Sequence, residues 1–235
     1  MTRLSRFNSA RRVVFLLILL MISMSSAQAE ILKIAVASNF LHAARDLAKE
    51  YTNQSHVKVD VIAGSTGKLF AQITQGAPYD VFMAADIQHP QQLVELGVAH
   101  STGVQIFAIG QLIVWSRDRL ALDDIWVGVP HRFAIANPKL APYGKAAQSY
   151  LEARGLWETW LPAKITGENI GQTLQFALSG SIDVAFLAQS QVSALAGRGS
   201  FYTLDLPNAE WLTQGAVSLS DSQAALGFMQ FLQSE

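Results

Sequence analysis

The sequence predicts an α/β fold in which doubly wound, mostly parallel sheets are flanked by helices. Short apolar runs rich in β-branched residues alternate with segments in which apolar residues recur at helical spacing. The loops between these segments are short, which favours right-handed βαβ units and parallel sheets covered by helices. Half of the 235 residues are apolar, so the chain can bury a substantial core.

Residues 1–29 are predicted to be a secretory signal peptide rather than part of the fold. Four arginines precede an apolar run at residues 13–24, and Ala27-Gln28-Ala29 provides a small-x-small cleavage site. We expect cleavage after Ala29 and export of a soluble protein. An uncleaved anchor is the alternative, although the run is short for a membrane span.

Charge and cysteine content narrow the class of function. Four of the 17 Lys and Arg residues lie in the leader, whereas all 18 Asp and Glu residues follow it, so the exported chain carries a net charge of −5. This charge does not suit a nucleic-acid-binding protein. The chain has no cysteine, which excludes disulfides, thiolate metal sites, cysteine nucleophiles and a lipoprotein anchor. Its length suits one large domain or two lobes.

The first half contains three strand–helix units. Strands are predicted at residues 31–37, 57–62 and 79–84, and helices after residues 39, 65 and 86. Ser38 or Asn39 is the expected N-cap of the first helix, and Ser65 that of the second. Both serines then lie at the carboxyl ends of strands, where open α/β sheets bind ligands.

The second half repeats this alternation after a long apolar run. Residues 104–116 form this run, and its interruption at Gly110 is compatible with a chain that leaves one lobe for another. The later strand predictions are residues 133–136, 164–165 and 182–187, with extended segments at 201–206 and 216–219. Helices are predicted to open at residues 141–144, 169–170 and 221.

One local feature occurs four times, at residues 38–39, 65, 142–143 and 169–170. In each case the chain enters a helix whose N-terminus offers hydroxyl, amide or free backbone N–H groups. Such a helix start favours the binding of anions. No Lys, Arg or His stands at these tips, so we predict binding of a dianion by neutral hydrogen-bond donors. The plain alternative is that Ser65 only caps a helix.

Six motifs resemble those of the periplasmic molybdate-binding proteins of ABC importers. They are Val-Ala-Ser-Asn-Phe (36–40), Gly-Ser-Thr-Gly-Lys-Leu (64–69), Gly-Ala-Pro-Tyr-Asp-Val-Phe (76–82), Ala-Ala-Asp (84–86), Ile-Ala-Asn-Pro-Lys-Leu-Ala-Pro-Tyr-Gly (135–144) and Gly-Glu-Asn-Ile (167–170). They occur in the right order across nearly the whole exported chain. The resemblance implies a two-lobed type II periplasmic binding protein, with lobe I at residues 30–109 and 213–235 and lobe II at 110–212.

The resemblance also implies the ligand, its site and its partner. Molybdate or tungstate would bind between the lobes with no cofactor and no free metal ion, and would pass to the membrane permease of an ABC importer. We expect a periplasmic monomer. The implied donors are the hydroxyl and backbone N–H groups of Ser38 and Ser65, with a contribution from the neighbouring Asn39. The backbone N–H groups of Tyr143 and Ile170 complete the set.

One departure and three alternatives remain. Some family members place a tyrosine hydroxyl on the ligand near residues 186–188, where this chain has Phe-Leu-Ala. The alternatives are a receptor for sulfate or another small oxyanion, an exported hydrolase, and a structural or sensory module without a ligand. The hydrolase is disfavoured because the chain lacks a Gly-x-Ser-x-Gly motif and offers no histidine matched to either serine. The five histidines show no metal-ligand spacing.

Overall fold

The computed structural model describes residues 31–100, 103–128 and 132–234. The predicted signal peptide lies outside these residues. The strands are β1 Ile31–Ala37, β2 Lys58–Gly64, β3 Val81–Met83, β4 Gln105–Ile109, β5 Leu112–Ser116, β6 Phe133–Ala136, β7 Lys164–Gly167, β8 Val184–Ala188, β9 Ser200–Thr203 and β10 Thr213–Ser218. The α-helices are α1 Leu41–Ser55, α2 Thr66–Thr74, α3 Gln88–Glu95, α4 Leu122–Ile125, α5 Pro142–Ala153, α6 Trp157–Trp160, α7 Ile170–Leu178 and α8 Gln223–Ser234. Short 3-10 helices span Ser38–Phe40, Leu161–Ala163, Gln189–Leu195 and Ala209–Leu212.

The ten strands form two five-stranded sheets. The first has the order β2-β1-β3-β10-β4, and the second has the order β7-β6-β8-β5-β9. In the first sheet only β10 runs against the other four strands, and in the second only β5 does so. The predicted α/β class with mostly parallel sheets is therefore confirmed, and each sheet is mixed because of one reversed strand.

The reversed strands are those that enter a sheet from the other half of the fold. The chain passes from β4 in the first sheet through Gly110 to β5 in the second, so the long apolar run at residues 104–116 is divided between the two sheets. It returns from β9 in the second sheet to β10 in the first. The two crossings are joined by a 2.8 Å hydrogen bond from the Gly110 N–H to the Leu212 carbonyl.

Two local features differ from the sequence prediction. Helices α4 and α6 were not predicted, because four residues are too few to show a helical period. The prediction that Ser38 or Asn39 caps the first helix is wrong. Residues 38–40 form a 3-10 helix, and neither it nor α1 has a side-chain cap. The two side chains instead bond to Asn169 and Gln214, which lie far away in the sequence.

Strands β1, β3, β5, β6, β8 and β10 supply much of the core, since their residues are almost entirely buried on both faces. One apolar cluster includes Ala37, the last residue of β1, and Ala85, which follows β3, together with Phe133 and Tyr143 from the second half. Within the described ranges, no helix combines the length and the hydropathy needed to cross a bilayer.

Candidate functional site

All five predicted ligand residues line one small cavity. They lie in the segments and helix starts that follow β1 and β2 of the first sheet and β6 and β7 of the second, so the cavity lies at the carboxyl ends of strands from both sheets. The lining residues are Ala37, Ser38, Asn39, Gly64, Ser65, Thr66, Ala85, Ala141, Pro142, Tyr143 and Ile170. None of these residues is an Asp, Glu, Lys, Arg or His. The cavity therefore offers hydroxyls, amides and main-chain groups.

Ser65 contributes a buried hydroxyl without a partner. It stands at the N-cap position of α2 with an extended backbone (φ −74°, ψ 145°), yet its side chain makes no capping hydrogen bond. The residue is 2% exposed, and its Oγ has no hydrogen-bond partner within the described part of the chain. A buried polar group left unpaired costs about 1–3 kcal/mol. The hydroxyl thus does not serve to cap the helix and remains available to a ligand in the cavity.

Ser38 bridges the two halves of the fold. Its hydroxyl donates to Asn169 Oδ1 (3.2 Å) and accepts from the Gly171 N–H (3.3 Å). Asn169 is the N-cap of α7, because the same Oδ1 accepts from the Gln172 N–H at 3.0 Å. Ser38 is therefore attached to the helix start that carries the predicted donor Ile170.

Further contacts hold the two halves together around the cavity. The Gly67 N–H donates to the Leu140 carbonyl at 2.8 Å, immediately beside Ser65. Half-exposed Lys68 and Glu168, each two residues from a lining residue (Thr66 and Ile170), form an ion pair between the two halves. Since these two charges neutralise each other and do not line the cavity, an anion inside it would be held mainly by neutral donors.

Tyr143 and Ile170 stand in the first turns of α5 and α7, where backbone N–H groups have no acceptor within the helix. Helix α5 begins with Pro142, which has no N–H, so Tyr143 supplies the first donor of that helix. The start of α7 is held by Gln191. Its Nε2 donates to the Ile170 carbonyl (3.1 Å), and its Oε1 accepts from the Ala188 N–H (3.1 Å).

The side chain of Asn39 is engaged inside the protein. Its Nδ2 donates to Gln214 Oε1 at 2.8 Å. Burial strongly raises the pKa of the Tyr143 hydroxyl, and a hydrogen bond with Asn39 partly opposes that rise. Tyr143 is therefore neutral at physiological pH. The Oδ1 of Asn39 is buried without a hydrogen-bond partner among the described residues, but an amide oxygen cannot donate to an anion, so the donor that Asn39 has left for a ligand is its backbone N–H.

Sequence reasoning missed the residues that support the cavity from behind. Gln191 and Gln214 are buried, Thr66 Oγ1 accepts from the Ala85 N–H at 3.1 Å, and Ser190 Oγ donates to the Asn39 carbonyl at 2.7 Å. Thr66 lies within the 64–69 motif, whereas no periodicity or motif marks Ser190, Gln191 and Gln214, because their partners are distant in sequence. Residues 186–188 are buried in β8, and the segment that follows places Ser190 and Gln191 on main-chain groups of the site.

Comparison with known proteins identifies the family. Residues 32–235 match the family model described as bacterial extracellular solute-binding protein. The chain is 36% identical over 205 residues to the molybdate-binding protein ModA of Rhodobacter capsulatus, covering 84% of this chain and 81% of that protein. It is 34% identical over 217 residues to the molybdate-binding protein ModA of Azotobacter vinelandii, covering 88% and 86%.

A solved structure agrees with these matches. The periplasmic molybdate-binding protein of Azotobacter vinelandii superposes with a TM-score of 0.74 at 31% identity, covering 86% of this chain and 91% of that one. The resemblance indicated by the six motifs is thus confirmed, as is the periplasmic binding protein fold that it implied. The chain belongs to the bacterial extracellular solute-binding protein family.

Proposed function

We propose that the protein is a periplasmic receptor that binds molybdate or tungstate in this cavity and delivers it to the membrane permease of an ABC importer. The observation that carries the proposal is the buried, unpaired hydroxyl of Ser65 in a cavity with a neutral lining. Two relatives that share 34–36% identity over most of the chain are named molybdate-binding proteins, which supports this choice of anion.

In this proposal the anion is held by the five predicted residues. Ser65 and Ser38 contribute their hydroxyl and backbone N–H groups, and Asn39, Tyr143 and Ile170 contribute backbone N–H groups. A dianion with four oxygens can accept all of these bonds. Phosphate is partly protonated near neutral pH and would present a hydroxyl to a shell made of donors, which would leave a polar group unpaired.

The same lining favours a receptor over a hydrolase. A catalytic serine needs a base within hydrogen-bond reach, and no histidine or carboxylate lines the cavity. The proposed receptor therefore has no catalytic residue, and its site uses neither a cofactor nor a free metal ion. The molybdenum or tungsten would enter only as its oxyanion.

We further propose that the two sheets mark two lobes that close on the anion. Lobe I would comprise residues 30–109 and 213–235, and lobe II residues 110–212, with the two crossings at Gly110 and Leu212 as the hinge. The receptor would act as a monomer after cleavage behind Ala29. Small-angle scattering should show a smaller radius of gyration when molybdate is added, whereas an unchanged profile at saturation would contradict closure.

Titration calorimetry on the exported protein tests the ligand. Molybdate and tungstate should each bind with one site per chain, and sulfate and phosphate should bind much more weakly. Ser55→Ala is a matched control for substitution of the cavity serines. The Ser55 hydroxyl bonds to the Tyr51 carbonyl of α1, and Ser55 does not line the cavity. Equal affinity for sulfate would favour the broader oxyanion receptor. No binding of any of these anions by the parent protein would refute the proposal.

A further inference from the structure

A buried polar cluster lies where the anion cavity meets the two crossings. Asn39 and Gln214 are 4% and 3% exposed and share the 2.8 Å hydrogen bond, and Tyr143 is 2% exposed with its hydroxyl packed against Gly110. Gln214 lies at the start of β10, directly after the second crossing, where the pairing of β10 with β4 shifts register. Burying amide and phenol groups is costly unless they are paired, so this cluster requires close mutual positioning.

Gly110 completes the cluster at the first crossing. A methyl group added to it would lie 2.3 Å from the Tyr143 hydroxyl oxygen, 3.1 Å from Gln214 Nε2 and 3.2 Å from the Leu212 carbonyl oxygen. Gly110 is not among the residues with a left-handed backbone. Glycine is therefore needed here for the close approach of the tyrosine hydroxyl, and not for an unusual backbone conformation.

We infer that Tyr143, Gln214 and Gly110 form a hinge brace that holds the two halves in the anion-binding arrangement. Tyr143 is carried by α5 of the second half, whereas Asn39 follows β1 and Gln214 lies in β10 of the first sheet, so rotation at the crossings moves the hydroxyl away from Asn39 and Gly110. Tyr143 would thus present its N–H to the anion and its hydroxyl to the hinge. Gln214 is a positioning residue that acts through Asn39.

This inference rests on the proposed function, and removal of the hydroxyl tests it. Tyr143→Phe keeps the backbone N–H but loses the hinge contact, so molybdate affinity should fall about 3- to 10-fold, the equivalent of one net hydrogen bond. The loss should appear as faster dissociation. Gln214→Met should behave in the same way. Tyr79→Phe is the matched control, since its hydroxyl bonds to Gln72 and Tyr79 does not line the cavity.

The affinity result separates a hinge brace from a structural role. If Tyr143→Phe melts earlier without ligand but binds molybdate as tightly as the parent after correction for the unfolded fraction, the hydroxyl only stabilises the fold and the inference is wrong. Unchanged affinity together with unchanged melting also overturns it. Weaker binding with a scattering profile at saturation that matches the parent supports it, because the closed form is then intact but less populated.

A double-mutant cycle tests the contact without any ligand. Gly110→Ala should lower the melting temperature of the unliganded parent markedly, because the methyl and the Tyr143 hydroxyl cannot share the space. In the Tyr143→Phe background the same substitution should cost much less, because the hydroxyl is gone. Strict additivity would refute the brace. If the parent binds no anion, the proposed function fails, while this cycle still decides whether the brace exists.

Discussion

The two halves of the cavity supply their hydrogen-bond donors in different ways. The first half offers the hydroxyls of Ser38 and Ser65, which directly follow β1 and β2 of the first sheet. The second half offers main-chain N–H groups at Tyr143 and Ile170, whose large side chains are buried in the core behind the cavity. A hydroxyl can be removed by one substitution, whereas a backbone donor is placed by the packing of its whole helix.

The two serines also differ from each other. Ser38 already has a donor and an acceptor across the cleft, in Gly171 and Asn169, while the Ser65 hydroxyl has no partner. Ser38 therefore connects the halves even without a ligand. The Ser65 hydroxyl makes no hydrogen bond within the described part of the chain, so its burial is best explained by a ligand.

The largest expected effect comes from displacing the backbone in the second half of the cavity. In Gly144→Ala the new methyl would lie 2.2 Å from the Ala136 carbonyl oxygen, so α5 must move away from β6. We expect the free energy of unfolding in urea to fall by about 3 kcal/mol, net of the roughly 1 kcal/mol that alanine gains as a helix former. Molybdate binding should be lost as well, because the Tyr143 N–H moves with the helix.

Gly64→Ala is the matched substitution in the first half of the cavity. The three atoms nearest to its methyl would be side-chain carbons of Leu69, the first two at 3.1 Å, and this side chain can rotate. We expect a loss within about 1 kcal/mol. If both glycine variants are equally stable, the backbone of the second side is no more constrained than that of the first, and the comparison fails.

Substitution of the serines should separate binding from folding. Ser65→Ala and Ser38→Ala should each weaken molybdate binding by about 1.5–3 kcal/mol, the value of a hydrogen bond to a charged group. Without ligand, Ser65→Ala should melt no earlier than the parent because it removes an unpaired hydroxyl. Ser38→Ala should melt earlier, because it loses two bonds. A Ser65→Ala protein that binds normally but melts early would restore the capping interpretation.

A proline tests the backbone donor of α7. Ile170→Ala and Ile170→Pro both shorten a buried side chain, but only proline removes the N–H, at a helix position that tolerates it. Asn169 is already extended (φ −147°, ψ 173°), as a residue before proline prefers. By calorimetry the proline variant should bind molybdate about 1.5–3 kcal/mol more weakly than the alanine variant. Equal affinities would mean that Ile170 is not a ligand.

The buried hydroxyl of Tyr143 should make the protein sensitive to alkali. Above about pH 10 a tyrosine in the unfolded chain loses its proton, while Tyr143, with its raised pKa, keeps it. The unfolded state then binds fewer protons, so stability falls as pH rises, by up to about 1.4 kcal/mol per unit from this group, and no such loss occurs below pH 10. In urea titrations at pH 9 to 11, Tyr143→Phe should show a shallower decline than the parent. Parallel declines would contradict the burial of the hydroxyl.

The smallest effect on molybdate affinity is expected from the ion pair between Lys68 and Glu168. Lys68 and Glu168 are each about half exposed (50% and 48%), so solvent screens their attraction. Lys68→Met or Glu168→Gln should change molybdate affinity by no more than about 1 kcal/mol, and less at high salt. Titrations at low and high ionic strength check this. A larger loss that does not depend on salt would mean that Lys68 contacts the anion directly.

The sequence alone determined the order of strands and helices and the chemistry of the candidate donors. Strand and helix patterns are local, since period 2 and period 3.6 are set by neighbouring residues, and every predicted strand corresponds to one in the structure. The Ser65 turn could also be predicted, because a strand, a Gly-Ser-Thr-Gly segment and a helix start follow one another within a few residues. The two four-residue helices were too short to leave such a pattern.

Only the tertiary structure decided how these groups meet. Ser38 bonds to Asn169 across 131 positions of sequence, and Asn39 bonds to Gln214 across 175. Gly110 lies in no recognisable motif. A residue without a Cβ atom is required there only because the fold brings the Tyr143 hydroxyl against it. Such contacts depend on the angle between two sheets and on the exchange of β5 and β10 between them. Both follow from packing over the whole chain, which no local pattern encodes.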